Sequence, residues 1–330
     1  MMEKAQKTKV LFGLIAILGI LIGGCSSKEP AKPEASAPAK AAPVARMVFI
    51  VKTIDNIYWE TMIRGAKEAG KDFNIEVEGF GPLKPYDVEE QIRFIENAIT
   101  KKVNAIIVVP ADSKGIIPGI EKANAAGIPV ITPNTKALGG KVRTWIGYGN
   151  TKAAYDAGKY LLAKIEQKDP KIVILEGKPG NQITVELNQG FDQAIKDSGK
   201  NVKVLARQTA NYARVDAQNV MENLLQQFKE IDGVMAANDA MALGAIEAIA
   251  AAGRLDKIKV SGNNGNADAL KAMKEGKLVC TPRQLPRDQG YWGVTVAWMA
   301  MKGLDLPSEI YIDSPLITLE NVEEHLKYSY

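Results

Sequence analysis

Residues 47–72 read MVFIVKTIDNIYWETMIRGAKEAGKD: an apolar run, a polar turn and a helix-spaced stretch in immediate succession. Met47 to Val51 is wholly apolar, as expected of a strand covered on both faces, because a half-exposed strand would alternate. Over residues 59–72, Met62, Ala66 and Ala69 recur at helical spacing, and Ile75 to Phe80 resumes strand character. The unit then repeats: helix Asp87 to Lys102, strand Ala105 to Val109, helix Lys114 to Ala126, strand Pro129 to Thr132. A fifth strand, Thr144 to Tyr148, ends this first series. The second series predicts helices over 151–167, 184–198, 214–228, 239–252 and 267–275. Its strands are Lys171 to Leu175, Val202 to Thr209, Gly233 to Ala236, Ile258 to Gly262 and Leu278 to Gln284. Helix 287–302 and one last extended segment, Ile310 to Ile317, close the chain. Such alternation predicts an α/β fold of parallel sheets with helices on both faces, and two series predict two similar, doubly wound lobes. Ligands of open parallel sheets sit beyond the carboxyl ends of the strands, so the residues just after each strand carry the functional information.

Composition narrows the chemistry. The chain has 330 residues, enough for roughly two domains, with 46% hydrophobic and 24% charged residues, as in soluble globular proteins. Its single histidine, His325, excludes a multi-histidine metal site and a histidine-based triad, and two cysteines cannot form a thiolate metal cluster. No metal and no cofactor are expected. At the start, Lys4, Lys7 and Lys9 precede an apolar run from Leu11 to Ile22 that is too short to span a hydrocarbon core of ~30 Å and suits an export signal. The run ends in Leu21-Ile22-Gly23-Gly24-Cys25, which resembles the lipobox of bacterial lipoproteins, where the cysteine becomes the lipid-modified first residue. Residues 1–25 are read as a lipoprotein signal peptide, with an ordinary cleaved signal as the alternative. Lipidation would consume Cys25 and leave Cys280 as the only thiol, read as a small buried hydrophobe. Residues 26–46, rich in Ala, Pro, Ser, Lys and Glu, bury too little apolar surface to order themselves and are read as a disordered tether. The leader and the tether together account for the net charge of +4, so the remainder is near neutral and offers no footprint for nucleic acid.

The strand tips share a chemistry. Asp55-Asn56-Ile57-Tyr58-Trp59 follows the first strand, Pro133-Asn134-Thr135 the fourth, and Tyr148-Gly149-Asn150 the fifth. The second series supplies Asn211-Tyr212, Asn238-Asp239, Asn263-Asn264 and Gln284. Aromatic faces cover the apolar C–H patches of a sugar ring, while amides donate to and accept from hydroxyls at once. The recurrence therefore points to a neutral, polyhydroxylated guest. Taken singly, each of these residues also has a structural reading, since Asn and Asp are common turn and cap residues. Asp239 is expected to cap the helix that follows it, and Asp87 and Asp112 invite the same reading.

From here the chain resembles the periplasmic sugar-binding proteins of bacterial ABC importers, the ribose- and galactose-binding kind of type I periplasmic binding protein, over nearly all of residues 47–318. The resemblance is carried by Tyr58-Trp59 ahead of Gly65-Ala66, Val109-Pro110-Ala111-Asp112, Gly127-Ile128-Pro129-Val130-Ile131-Thr132, Asn238 to Ala245, and Gly276-Lys277-Leu278. It implies two lobes joined by a three-segment hinge, with 47–148 and 285–308 in lobe one and 149–284 and 309–330 in lobe two. It also implies that Tyr58 and Trp59 sandwich a sugar ring from one lobe, that Tyr212 faces them from the other, and that Asn238 and Gln284 supply amide contacts. Asn56, Tyr148 and Glu186 join this candidate site, as do Asn134 and Thr135, which stand where ribose-type proteins have Asp-Arg. Asn263-Asn264 replace an aromatic and an Asp, and Val185, beside Glu186, stands where an arginine is usual. Amides in place of charge-assisted contacts weaken any direct transfer of ribose or glucose specificity.

The stretch Gly79-Phe80-Gly81-Pro82-Leu83-Lys84-Pro85-Tyr86-Asp87 also resembles a sub-branch that includes rhamnose- and autoinducer-type binders. A nucleoside, an autoinducer-like molecule, or a cation caged by Tyr58, Trp59, Tyr148 and Tyr212 near Glu186 is therefore the alternative ligand. A repressor of the lactose-operon type shares this fold, but the leader and tether occupy the space of its helix-turn-helix. Gly177-Lys178-Pro179-Gly180-Asn181 fits neither a dinucleotide fingerprint nor a P-loop, and no nucleophile–base pair is evident, so an enzyme on the same fold is the remote alternative. The resemblance implies an exported, lipid-anchored solute-binding protein facing the periplasm or cell exterior. Its partners would be the transmembrane subunits of an ABC permease, with a chemoreceptor as a second reader.

Overall fold

The computed structural model describes residues 44–330. The signal peptide, the lipobox with Cys25 and most of the tether lie outside the described residues. In chain order the elements are β1 (Ala45–Ile50), α1 (Ile57–Asp72), β2 (Ile75–Phe80), α2 (Val88–Thr100), β3 (Ala105–Val108), α3 (Ile117–Ala125), β4 (Val130–Pro133) and β5 (Thr144–Tyr148). They continue as α4 (Asn150–Ala163), β6 (Lys171–Glu176), α5 (Gln182–Lys196), β7 (Lys203–Thr209), α6 (Arg214–Gln227), β8 (Gly233–Ala236) and α7 (Asp239–Ala251). The last are β9 (Lys259–Ser261), α8 (Ala267–Lys274), β10 (Cys280–Pro282), α9 (Pro286–Met301), β11 (Glu309–Ile312), β12 (Leu316–Thr318) and α10 (Val322–Leu326).

Two six-stranded sheets result, ordered β11-β5-β4-β3-β1-β2 and β12-β10-β9-β8-β6-β7. Their pairings are parallel except β10 with β12. This is the expected α/β architecture of two doubly wound lobes. The apolar run in β1 has the expected cause: Met47, Phe49 and Val51 pack into the core on one face of the first sheet, and Val48 and Ile50 into the core on the other. Helix α9 returns to the first lobe and lies against α1 at a spacing only glycine permits. A Cβ on Gly65 would fall 1.9 Å from the Arg287 carbonyl oxygen, and one on Gly290 would fall 1.8 Å from that of Met62. Gly65 in the Gly65-Ala66 pair is therefore a packing residue.

Three crossovers link the sheets: at Gly149, between Pro282 and Pro286, and between Ile312 and Leu316. Two sequence boundaries are corrected. The sequence places the end of the tether at residue 46, yet Ala45 and Arg46 already pair with Ile75 and Glu76, and the Arg46 amide donates to Asn104 Oδ1 at 2.8 Å. Backbone pairing and polar anchoring order these two residues, and Ala45 packs half-buried against the first-lobe core. The lobe boundary at 308/309 also moves, because β11 pairs with β5 and so belongs to the first sheet. The single extended segment Ile310 to Ile317 is two strands, one in each sheet, broken at Asp313-Ser314-Pro315.

Candidate functional site

A cavity of about 430 Å³ lies between the carboxyl ends of the two sheets. On the first lobe its wall comes from the β1–α1 loop (Lys52, Asp55, Asn56), the start of α1 (Tyr58, Trp59), Tyr86 after β2 and Asn134 after β4. On the second lobe Tyr212, Asn238, Asn263 and Asn264 follow β7, β8 and β9, and Gln284 lies in a crossover.

Capping fixes several of these tips. Asn56 accepts from the Tyr58 amide at 2.9 Å and so starts α1 with Tyr58 and Trp59 in its first turn. Asn238 does the same for α7, accepting from the Met241 amide at 2.9 Å, while its Nδ2 donates to the Tyr212 carbonyl at 3.1 Å. Asp239, expected as that cap, is instead buried inside the helix. It accepts from Thr281 Oγ1 at 2.7 Å and the Asn266 amide at 2.9 Å, and burial raises its carboxyl to about 6. Asp87 does cap α2, through the Glu90 amide at 2.9 Å, whereas Asp112 holds a turn by accepting from the Lys114 and Gly115 amides ahead of α3.

One hydrogen-bonded chain crosses the cleft. Asn134 Nδ2 donates to Tyr58 Oη at 3.1 Å, Tyr58 Oη donates to Gln284 Oε1 at 2.8 Å, and Asn264 Nδ2 donates to the same oxygen at 2.9 Å. Asn134 occupies the left-handed region (φ 65°), held by Trp145 Nε1, which donates to its carbonyl at 3.0 Å. Above this chain Lys52 is buried at 2% exposure, its ammonium 5.2 Å from the Trp59 ring centre and 5.8 Å from that of Tyr86. Its closest acceptor is Asn134 Oδ1 at 3.5 Å, and burial lowers its pKa to about 7. Burial raises the Tyr58, Tyr86 and Tyr212 phenols, which stay protonated donors.

Of the expected site residues, the structure brings Asn56, Tyr58, Trp59, Asn134, Tyr212, Asn238, Asn264 and Gln284 around one cavity. Three fall elsewhere. Thr135 is wholly buried behind the wall, where its hydroxyl donates to Asn134 Oδ1 at 3.2 Å. Tyr148 is turned into the hinge, its hydroxyl accepting from the Leu285 amide at 2.5 Å. Glu186 accepts from Asn150 Nδ2 at 2.8 Å and lines a separate hollow beside Tyr148 and Trp145. The cation cage is thereby dismantled: two of its members are absent, and an ammonium of the protein's own already lies over Trp59. Sequence reasoning missed Lys52, Tyr86 and Tyr330. Lys52 directly follows an apolar strand and was legible by position. Tyr330 was not, because nothing local brings the residue beyond α10 to lie edge-on against Tyr58, ring centres 5.6 Å apart.

The lobes also touch away from the hinge. The Ser113 amide donates to the Gly180 carbonyl at 3.1 Å, the Gln182 amide donates to Ser113 Oγ at 3.0 Å, and the Tyr86 and Tyr212 rings stack with centres 6.3 Å apart. The cleft is closed.

Known proteins share both sequence and shape. The family model described as periplasmic binding protein domain matches residues 47–305. The ribose import binding protein of Bacillus subtilis (strain 168) is 33% identical over 280 residues, covering 84% of this chain and 88% of the relative. A solute-binding protein of Actinobacillus succinogenes 130z, solved with bound D-allose, superposes with a TM-score of 0.79 at 33% identity, covering 85% of this chain and 99% of that one. One from Bacillus halodurans C-125 with bound myo-inositol gives a TM-score of 0.80 at 31% identity, covering 88% and 100%.

Proposed function

The chain belongs to the periplasmic binding protein family, and from that premise we propose that it captures a small, neutral, polyhydroxylated ligand between its lobes and presents it to the permease of an ABC importer. A monosaccharide or a sugar-like polyol is the ligand class. The reading rests above all on the amide–phenol chain from Asn134 through Tyr58 and Gln284 to Asn264, which spans both lobes at the cavity. These groups both donate and accept, as hydroxyls require, and Trp59 and Tyr212 add aromatic surface for a ring's C–H patches. The ligands named for the relatives, ribose, D-allose and myo-inositol, belong to this class. With a pKa near 7, Lys52 is partly neutral at physiological pH, which suits an uncharged guest. The order of leader, apolar run, small residues and Cys25 supports export and lipid anchoring, and the anchor would hold the protein near its permease.

Calorimetry with D-ribose, D-allose, myo-inositol and xylitol, with a nucleoside as counter-probe, tests the ligand class. Saturable binding of at least one neutral polyol is expected. Binding of the nucleoside alone, or of none of them, would overturn it. Tyr58→Phe removes the hydroxyl that joins Asn134 to Gln284 and leaves the buried Asn134 Nδ2 without its acceptor, a cost of about 1–3 kcal/mol, while Gln284 Oε1 keeps Asn264. Affinity for the bound polyol should fall by roughly tenfold or more.

A further inference from the structure

The two sheets are tied together at one side only. The crossovers leave from β5, β10 and β11, which lie at or next to the β11 and β12 edges of their sheets. At the opposite edges stand β2 and β7, and the residues that follow them include Tyr86 and Tyr212. These tyrosines are the ones that stack across the cleft, 6.3 Å between centres and 24° between planes, and both line the cavity. Both also hold left-handed backbones (φ 63° and 61°), a conformation uncommon for a bulky side chain and frequent at functional sites.

Each ring is braced by its own lobe. The Tyr86 amide donates to the Lys52 carbonyl at 3.0 Å, and Tyr212 Oη shares a 2.8 Å hydrogen bond with Thr184 Oγ1. Lys178, from the second lobe, places its ammonium 5.2 Å from the Tyr86 ring centre, opposite in origin to Lys52. Rotation about the hinge separates these far edges most, so the stack exists only in the closed state.

We propose that Tyr86 is a specificity-determining residue: with Tyr212 it forms an aromatic gate at the cleft mouth that shuts over a single-ring guest and excludes one extended by a second ring. The proposal rests on the sugar reading above for its choice of guest, but the gate itself is a property of the two lobes. A second ring that projects from the guest toward this far edge would have to lie between the tyrosines, where the stack leaves no layer for it. A guest already enclosed can leave only after the stack breaks, so the gate also slows release.

The test uses the full chain, with folding checked by circular dichroism, and measures affinity and dissociation rate for D-ribose, D-allose and myo-inositol and for the phenyl glycosides of the two sugars. The wild-type chain should bind a free ring and reject the phenyl glycosides. Tyr86→Ala should release the free ring at least tenfold faster, with a smaller change in association rate, and should admit a phenyl glycoside; Tyr86→Phe should restore both properties. An alanine variant that keeps the wild-type release rate and still rejects the glycosides overturns the gate. If the wild-type chain binds none of these probes, the sugar reading fails by itself. The gate is then decided by Tyr86→Cys combined with Tyr212→Cys in a Cys25→Ser background, Cys280 being buried. A short bismaleimide should cross-link that pair within one chain, and failure to do so removes the gate.

Discussion

At the scale of single residues, Lys52 is the group least at ease in its surroundings. Burial alone moves its ammonium from 10.5 to about 7, with no carboxylate close enough to oppose the shift. Between those two values the unfolded chain holds a proton that the folded chain has released. Stability must therefore rise with pH across that window, because the unfolded state binds more protons there. Chemical denaturation at pH 7 and pH 9 should show the wild-type chain gaining roughly 2 kcal/mol relative to Lys52→Met, which lacks the titrating group. Parallel pH profiles for the two proteins would show that Lys52 is hydrated and charged in the folded chain. The same residue illustrates how chemistry at the site escapes a reading based on type: lysines usually lie in water, and only the meeting of Trp59, Tyr86 and the sheet tips dries this one.

Elements were legible wherever a local pattern determined them. The apolar run of β1, the helical spacing of Met62, Ala66 and Ala69, and the polar residues after each strand all reflect forces that act over a few residues. What depended on distant partners was not legible. Residues 310–317 look uniformly extended, and only pairing with β5 on one side and β10 on the other divides them. Tyr148 and Glu186 occupy the expected positions in the chain but face the hinge and a side hollow, which depends on how their strand and helix are rotated in the fold. Asp239 shows the same limit. Expected as a helix cap, it ties three elements together: α7, which carries it, the Asn266 turn before α8, and Thr281 in β10. Asp239→Ala would leave the buried Thr281 hydroxyl with only the distant Pro282 carbonyl at 3.5 Å and the half-buried Asn266 amide without its acceptor, at about 1–3 kcal/mol for the hydroxyl and less for the amide. Calorimetric melting should show a clear drop in Tm, and a melting point equal to wild type would mean that water satisfies those donors.

For the whole molecule, the proposed function reduces to a balance between open and closed arrangements of two lobes, each with its own core. Away from the hinge the lobes meet through two backbone-donated hydrogen bonds at Ser113, the Tyr86–Tyr212 stack, the Lys178 ammonium against the Tyr86 ring, the edge-on Tyr330–Tyr58 contact and the cleft network. Such a modest set suits an equilibrium of a few kcal/mol that a ligand can tip by touching both sides. Gly180 lies where closure is tightest. Its φ is 83°, its carbonyl accepts from the Ser113 amide, and a Cβ there would fall 2.0 Å from Asp112 Oδ2. Gly180→Ala therefore acts twice. The left-handed backbone costs alanine roughly 1 kcal/mol in both arrangements and lowers Tm slightly. The clash with Asp112 arises only when the lobes meet, so it shifts the balance toward open and lowers the apparent affinity in proportion to the closed fraction that remains. For whichever polyol the wild-type chain binds, calorimetry should show affinity reduced at least tenfold. Small-angle scattering should show that saturating ligand no longer compacts the variant to the wild-type radius at equal concentration. Unchanged affinity with a merely lower Tm would mean that Asp112 swings aside at no cost, and that closure in this protein does not depend on the bare backbone at Gly180.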